Sequence, residues 1–198
     1  MISIVVVSAG VQLWDMFTAP AVASLSRHAT QEHELITVDN GGLSRGTVNI
    51  PVMVPFAAAM NAGAAVATGD RLLLLNNDIE ARGPYLNALG HGDLEGPTPR
   101  IVATDAHYLE GWALSVSHGL WDILGGFNTN YINSWEDVDF CWRAQRLGVP
   151  LTHLQAWPVR HYYGETRNRI EGANAKDNDN FLLFLSMKGR PQWNFTRS

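Results

Sequence analysis

The chain is poor in several things, and each shortage excludes something. Its 198 residues include one cysteine, Cys141. No internal disulfide can form, so nothing points to an oxidising compartment. Lysine is scarce: of the 14 basic residues, Lys176 and Lys188 are lysines and the others are arginines. The net charge of -5 argues against general nucleic-acid binding, which needs a basic patch. The arginine bias is compatible with a phosphorylated ligand, because a guanidinium grips phosphate with two parallel hydrogen bonds. No apolar run approaches the roughly 20 residues of a membrane-spanning helix. The opening MISIVVVSAG is too short an apolar run for a signal peptide and has no basic flank. A cytoplasmic protein is expected, with peripheral contact to a membrane allowed.

What is present is ordinary for a globular protein: 46% hydrophobic and 17% charged residues. The length suits one good core and is short for two full domains. ISIVVV (2–7) is β-branched and reads as a buried strand. Residues 12–28 carry Leu13, Met16, Phe17, Ala21 and Leu25 at helical spacing. HELITVD (33–39) is a second strand, closed by the turn DNGG. Residues 54–70 are alanine-rich and predict a helix that stops at Gly69. RLLLLN (71–76) is a third buried strand. Strand, helix, strand, helix, strand predicts a mostly parallel α/β sheet with right-handed crossovers.

Beyond residue 90 the pattern changes to a Gly/Pro-rich loop and then mixed strands over 100–117. SWEDVDFCWRAQRLGVP (134–150) predicts a helix with Ser134 as N-cap and Gly148 and Pro150 at its end. A short strand near 151–157 and a last helix over about 174–188 complete the chain.

Ligands of open parallel sheets bind at the carboxyl ends of the strands. Three such ends here are polar: Ser8, then Asp39 with Asn40, then Asn76, Asn77 and Asp78. Each has a bland reading, since Asp and Asn before Gly make turns. The functional reading gives Asp39 a nucleotide base N–H to accept. It gives Asp78 a Mg2+ or Mn2+ held through substrate phosphates, a site that needs few protein carboxylates.

The helix at 134–147 divides in the same way. Glu136 and Asp137 complement the helix dipole and could be purely structural. Asp139 and Arg143 sit at i,i+4 and are expected to pair. Yet a glycine-rich approach, LGGFNTNY, delivers the acidic pair at a helix start. His161 follows a strand and is flanked by Arg160, Arg167 and Arg169, a group suited to a diphosphate and its metal.

These segments together resemble glycosyltransferase family 2, with the GT-A fold, and within it the rhamnosyltransferase-like branch. The resemblance covers about residues 2–188. It rests on ITVDNGG, on NAGAAVATGDRLLLLNND, on the segment from Gly111 to Arg143, on RHYYGETR and on FLLFLSMKG. It implies one GT-A domain over 1–198, with a nucleotide-sugar half at about 1–80 and an acceptor half at about 100–190. It implies a metal-dependent, inverting transfer of a sugar from a UDP- or dTDP-type donor to an acceptor hydroxyl. Asp137 would be the general base and Glu136 its helper. Asp78 and His161 would hold Mn2+ or Mg2+. Ser8, Asp39, Asn40, Asn61, Arg71, Asn76 and Asn77 would contact the donor. Arg160, Arg167 and Trp112 would meet phosphate or acceptor.

The sequence departs from the family in one respect that matters: the metal motif reads Asn-Asn-Asp, so Asp78 is its sole acid. The acceptor stays open among glycan, lipid-linked sugar, protein and modified nucleobase. A nucleotidyltransferase is the alternative enzyme, but VSAGVQLWD has no basic residue for a phosphate loop after the first strand. A non-catalytic sugar-nucleotide or glycan-binding module is the other alternative, and a retaining mechanism would remove the base role of Asp137.

Overall fold

A computed structural model describes residues 1–102, 105–163, 165, 169 and 176–188. β1 (Ile2–Ala9) leads into a helical run made of α1 (Gly10–Leu13), a π-helical turn (Trp14–Thr18) and α2 (Ala19–His28). Then come β2 (His33–Asn40), β3 (Val48–Ile50), α3 (Phe56–Ala64) and β4 (Arg71–Asn76). β5 (Ile79–Ala81), β6 (Leu94–Gly96), β7 (Pro99–Ile101), β8 (His107–Leu109) and β9 (Ala113–Ser117) follow. The remainder is α4 (His118–Leu124), α5 (Glu136–Arg146), β10 (Leu151–His153), β11 (Val159–His161) and α6 (Asp177–Lys188).

Among the described residues, the main sheet has seven strands in the order β10-β6-β9-β4-β1-β2-β3. β1 runs parallel to both β2 and β4. The expected parallel sheet is therefore present, with one exception: β9 is antiparallel to β4 and to β6. From β1 the chain winds outward through β2 and β3, then returns to place β4 on the other flank of β1. That reversal opens a crevice at the carboxyl ends of β1 and β4, where such sheets bind ligands.

The four leucines of β4 feed two cores. Leu72 and Leu74 join Val5, Val7, Met60, Trp121 and Phe140 on one face. Leu73 and Leu75 join Ile4, Val6, Ala21, Leu25 and Trp157 on the other. Strand side chains alternate, so a strand covered by helices on both faces must be apolar throughout. Gly63 lets α3 lie close on the sheet, since a Cβ there would run into Val5 and Val38.

Two helix ends differ from expectation. α3 stops at Ala64, not at Gly69. Gly69 instead sits against the first strand, its N–H donating to Ser3 Oγ at 2.8 Å, with no room for a Cβ. Ser134 is not the N-cap of α5. That place is taken by Trp135, in the left-handed region at φ 72° with no side-chain capping bond. The expected pair within α5 does form: Arg143 Nε donates to Asp139 Oδ2 at 2.7 Å, and both side chains are buried. None of the described helices is long and apolar enough to cross a membrane.

Candidate active site

The crevice opens into a cavity of about 650 Å³. Its floor is the end of β4 and the turn after it, Asn76, Asn77 and Asp78. Asp78 is buried, and its position is set by an element the sequence did not reveal. β11 pairs antiparallel with β5, with His161 opposite Ile79. The register brings the imidazole next to the preceding residue, and Tyr162 N–H donates to the Asp78 carbonyl at 2.9 Å. His161 Nε2 then lies 3.2 Å from Asp78 Oδ1.

The ring plane of His161 is fixed by aromatic neighbours. Trp112 stacks on it at 4.7 Å and 10°, and Tyr163 tilts against it at 4.4 Å. Trp112 is itself anchored, its Nε1 donating to Thr98 Oγ1 at 3.0 Å. Both ring nitrogens of His161 are buried and make no hydrogen bond among the described residues.

A carboxylate and an imidazole held side by side fit a divalent cation. Among the described residues no third acidic, His or Cys side chain joins them in a metal-ligand cluster. Two protein ligands suit a Mn2+ or Mg2+ that takes its other positions from phosphate and water.

The start of α5 also lines the cavity, with Glu136 and Asp137. Asp137 is held on two sides: Gly111 N–H donates to Oδ2 at 2.8 Å and Val138 N–H donates to Oδ1 at 2.8 Å. Burial pushes its carboxyl above the ordinary range, against the pull of those N–H groups. Gly111 has to be small, because a Cβ would meet Asp137 Cβ at 3.0 Å. Tyr108 and Glu110 complete this wall, and burial raises the Tyr108 phenol to about 12. The thiol of Cys141, buried behind the wall, is pushed up to about 12 and has no chemistry to offer.

The other expected site residues divide. Asn40 lines the cavity, but its amide is spent on Val54, accepting from its N–H and donating to its carbonyl at 2.9 Å each. Asn77 lines it too and donates to Thr18 Oγ1 at 3.0 Å. Val7 and Ala9 face the cavity while Ser8 between them does not, as strand alternation demands. Asp39, beside Asn40 at the end of β2, is not among the lining residues. Its Oδ2 accepts from Arg45 N–H at 3.0 Å, and its buried Oδ1 has no hydrogen-bond partner among the described residues.

Asn61 and Arg71 do not reach the cavity, and a donor role for either does not fit. Asn61 bridges to Phe127, donating to its carbonyl at 2.8 Å and accepting from its N–H at 3.0 Å. Arg71 lies at the opposite end of β4, where its guanidinium holds Glu95, Ser115 and the Gly92 carbonyl. Arg160 also points away, exposed beside His161 with its guanidinium 4.8 Å over the Tyr162 ring. Arg169 pairs with Glu165 at 2.7 Å. Arg167 falls outside the described residues.

Tyr108, Glu110 and Gly111 had no sequence assignment, and neither did a residue that supports the site from behind. Asn180 in α6 is buried and reaches the turn before α5, accepting from Ile132 N–H at 3.2 Å and donating to Ser134 Oγ at 2.8 Å. The only cue was its spacing, an amide three and four residues before Leu183 and Phe184 on the face that the helix buries.

No family model matches this sequence, and no curated protein does. Solved structures do share its fold. A mannosyltransferase from Pyrobaculum calidifontis, solved with GDP-Man and Mn2+, aligns over 96% of this chain at a TM-score of 0.72 and 12% identity. GalNAc-T7, solved with UDP, GalNAc and Mn2+, aligns over 87% at a TM-score of 0.70 and 13% identity. The catalytic domain of Drosophila β1,4-galactosyltransferase 7, solved with xylobiose, aligns over 86% at 0.57 and 17% identity. The present chain spans 65%, 44% and 73% of those three chains respectively. The fold of this chain is thus the GT-A fold of glycosyltransferases.

Proposed function

We propose that the protein is a metal-dependent glycosyltransferase that moves a sugar from a nucleoside-diphosphate sugar to an acceptor hydroxyl. The observation that carries this is the presence of two acidic stations in one cavity: Asp78 with His161 at the end of β4, and Asp137 at the start of α5. Sugar transfer separates charge. Negative charge grows on the leaving diphosphate, and a divalent cation there supplies its stabilisation. Asp78 and His161 are the residues that would hold that cation. The acceptor hydroxyl must lose its proton as it attacks. Asp137 takes that role in an inverting reaction, as a carboxylate that lines the cavity apart from the Asp78–His161 pair.

Asp39 is the base-recognising carboxylate in this reading. Its unpartnered Oδ1 suits the N3–H of uracil or thymine, which favours UDP or dTDP donors. The neighbours bound to nucleotides carry UDP in one case and GDP-Man in another, so the base is decided by experiment. In this reading residues of about 1–80 supply the donor side and about 100–190 the acceptor side.

The test is a thermal-shift screen with UDP, dTDP and GDP, and with their sugars, each with and without Mn2+. A nucleotide that binds the native state raises the melting temperature, by about 2.7 kcal/mol of added stability at a hundredfold excess over Kd. Metal-dependent stabilisation by one base class is expected. No shift with any nucleotide, with or without Mn2+, would sink the proposal.

A further inference from the structure

The turn that delivers Asp137 to the cavity is strained, and a distant helix holds it. Within four residues, Asn133 and Trp135 both adopt left-handed backbone, at φ 57° and 72°. Neither is glycine, and such residues cost of order 1–3 kcal/mol each unless their surroundings impose them. The strain re-aims the chain, because Trp135 is also the residue at which α5 begins.

α6 supplies the restraint. Asp177, Asn180, Phe181 and Phe184 fall at i, i+3, i+4 and i+7, on one face. The Asn180 amide accepts from Ile132 N–H at 3.2 Å and donates to the carbonyls of Ile132 at 3.0 Å and Ser134 at 3.1 Å. It also donates to Ser134 Oγ at 2.8 Å. Two amide hydrogens thus serve three acceptors, and the amide brackets the turn from both sides. Asp177 accepts from Trp135 Nε1 at 3.2 Å, and the Trp135 ring packs on Phe181 and Phe184 at 5.2 and 5.6 Å. Asn133 then ties the turn to the donor side, its Oδ1 accepting from Phe56 N–H at the start of α3 at 3.0 Å.

We infer that Asn180 is a positioning residue for transfer: it locks the strained turn 132–135 and so aims the Asp137 carboxylate at the acceptor. It touches no substrate and acts through Asp137. The inference rests on the glycosyltransferase reading for its catalytic consequence, but not for the clamp itself. A misplacement of about 1 Å in a reacting group costs on the order of 100-fold in rate, so a loosened turn is felt in turnover and not in donor binding.

Several charged or titratable groups face Asp137: Glu136 on its own helix, Glu110 and Tyr108 from β8 and the turn after it, and Cys141 one turn along α5. The Asn180 amide bonds to Ile132 and Ser134, so a change in the titration of Asp137 on substituting Asn180 reports the turn.

The experiment compares Asn180→Ala and Asn180→Asp with the wild type. The aspartate keeps the acceptor for Ile132 N–H and lacks the donated bonds, so it serves where the alanine variant fails to fold. Expected are a 10- to 100-fold loss of kcat, donor Kd within about twofold by calorimetry, and an acid limb of the kcat profile that moves down as the carboxyl opens to water. Amide NMR resonances of 132–137 shift together in both variants without substrate, while those of β1 and β4 stay in place. A folded variant with wild-type kcat overturns the inference. So does a loss of donor binding in step with kcat and an unmoved acid limb, the mark of general loosening. Unchanged turn resonances refute the clamp whatever the enzyme does. Wild-type protein that binds no nucleotide sugar overturns the functional reading instead.

Discussion

Nε2 of His161 lies 3.2 Å from Oδ1 of Asp78, although the two arrive from opposite halves of the chain. The contact exists because β11 adds to β5 as a short antiparallel ribbon just beyond the end of β4. A single acid in the turn after β4 is a weak cation site. An imidazole added from another element would make it a two-ligand one.

The first prediction concerns that pair. Asp78→Asn and His161→Ala should each weaken Mn2+ binding by at least the roughly 10- to 100-fold that follows loss of a supporting group at a metal site. Both should leave the fold intact. Mn2+ electron paramagnetic resonance titration, with and without UDP, measures it. EDTA should abolish turnover; full activity in EDTA removes the metal from the reaction.

Trp112 gives the second. Its indole stacks on His161 at 4.7 Å, so it holds the ring for its task and leaves little face for an acceptor. Trp112→Phe should keep Mn2+ affinity within a few-fold, while Trp112→Ala should lose about 10- to 100-fold. Equal loss in both variants would mean that the indole N–H bond to Thr98, and not the ring face, matters.

Asp137 carries the third. Asp137→Asn should cut kcat by about 10²–10⁴, the usual worth of a positioned base, with donor binding intact. Burial raises the native pKa of this carboxyl above that of the unfolded chain. If Asp137 is the base, activity needs its ionised form and should rise as pH climbs through the raised pKa. Stability moves the other way. The native state holds the proton more tightly, so this group favours folding fully below its unfolded pKa and loses that contribution as pH rises through the folded one. Melting curves against pH should show the slope in the wild type and its absence in Asp137→Asn.

Much of this was legible in the chain. The four leucines announced a strand covered on both faces, and the i,i+4 spacing of Asp139 and Arg143 announced a pair; both are periodicities local to one element. What could not be read depends on distant packing. Ser134 has the chemistry of an N-cap, but its hydroxyl accepts from Asn180, and the cap position passes to a strained Trp135. Arg71 stands on the right strand at the wrong end. Asn61 sits in a plausible motif, yet its amide is consumed by Phe127. In each case residue type and spacing were correct and the partner, supplied by another element, set the role.

The buried pair in α5 yields the fourth prediction. Arg143 also donates to the carbonyls of Leu124 at 2.7 Å and Gly126 at 2.9 Å, so it ties α5 to the end of α4. Arg143→Met leaves the buried Asp139 without its counter-charge, with only a long bond from the Tyr131 hydroxyl at 3.5 Å among the described residues, which costs about 3–5 kcal/mol. In a chain of this length that lowers Tm by roughly 6–20 °C. Adding Asp139→Asn should recover part of the loss. A double variant less stable than Arg143→Met alone would show that the bond from Tyr131 to the Asp139 carboxylate outweighs the cost of its buried charge.

The last prediction isolates Asp39. Gly42 does not need the left-handed region, so its backbone tolerates alanine. The obstacle is spatial: a Cβ there would run into the Asp39 carboxylate. That carboxylate is pinned by Arg45 N–H at 3.0 Å and cannot retreat without breaking the bond. Gly42→Ala should therefore displace Oδ1, the atom assigned to the donor base, while the buried sheet stays as it is. Losing a hydrogen bond to a charged group costs about 1.5–3 kcal/mol, or roughly 10- to 100-fold in donor affinity. Calorimetry with the nucleotide alone reads this directly. The control is Gly42→Ala in an Asp39→Asn background, where the alanine should add little because the recognising charge is already gone. If Gly42→Ala binds the nucleotide as tightly as wild type, Asp39 does not read the base, and recognition must come from the residues that line the cavity itself.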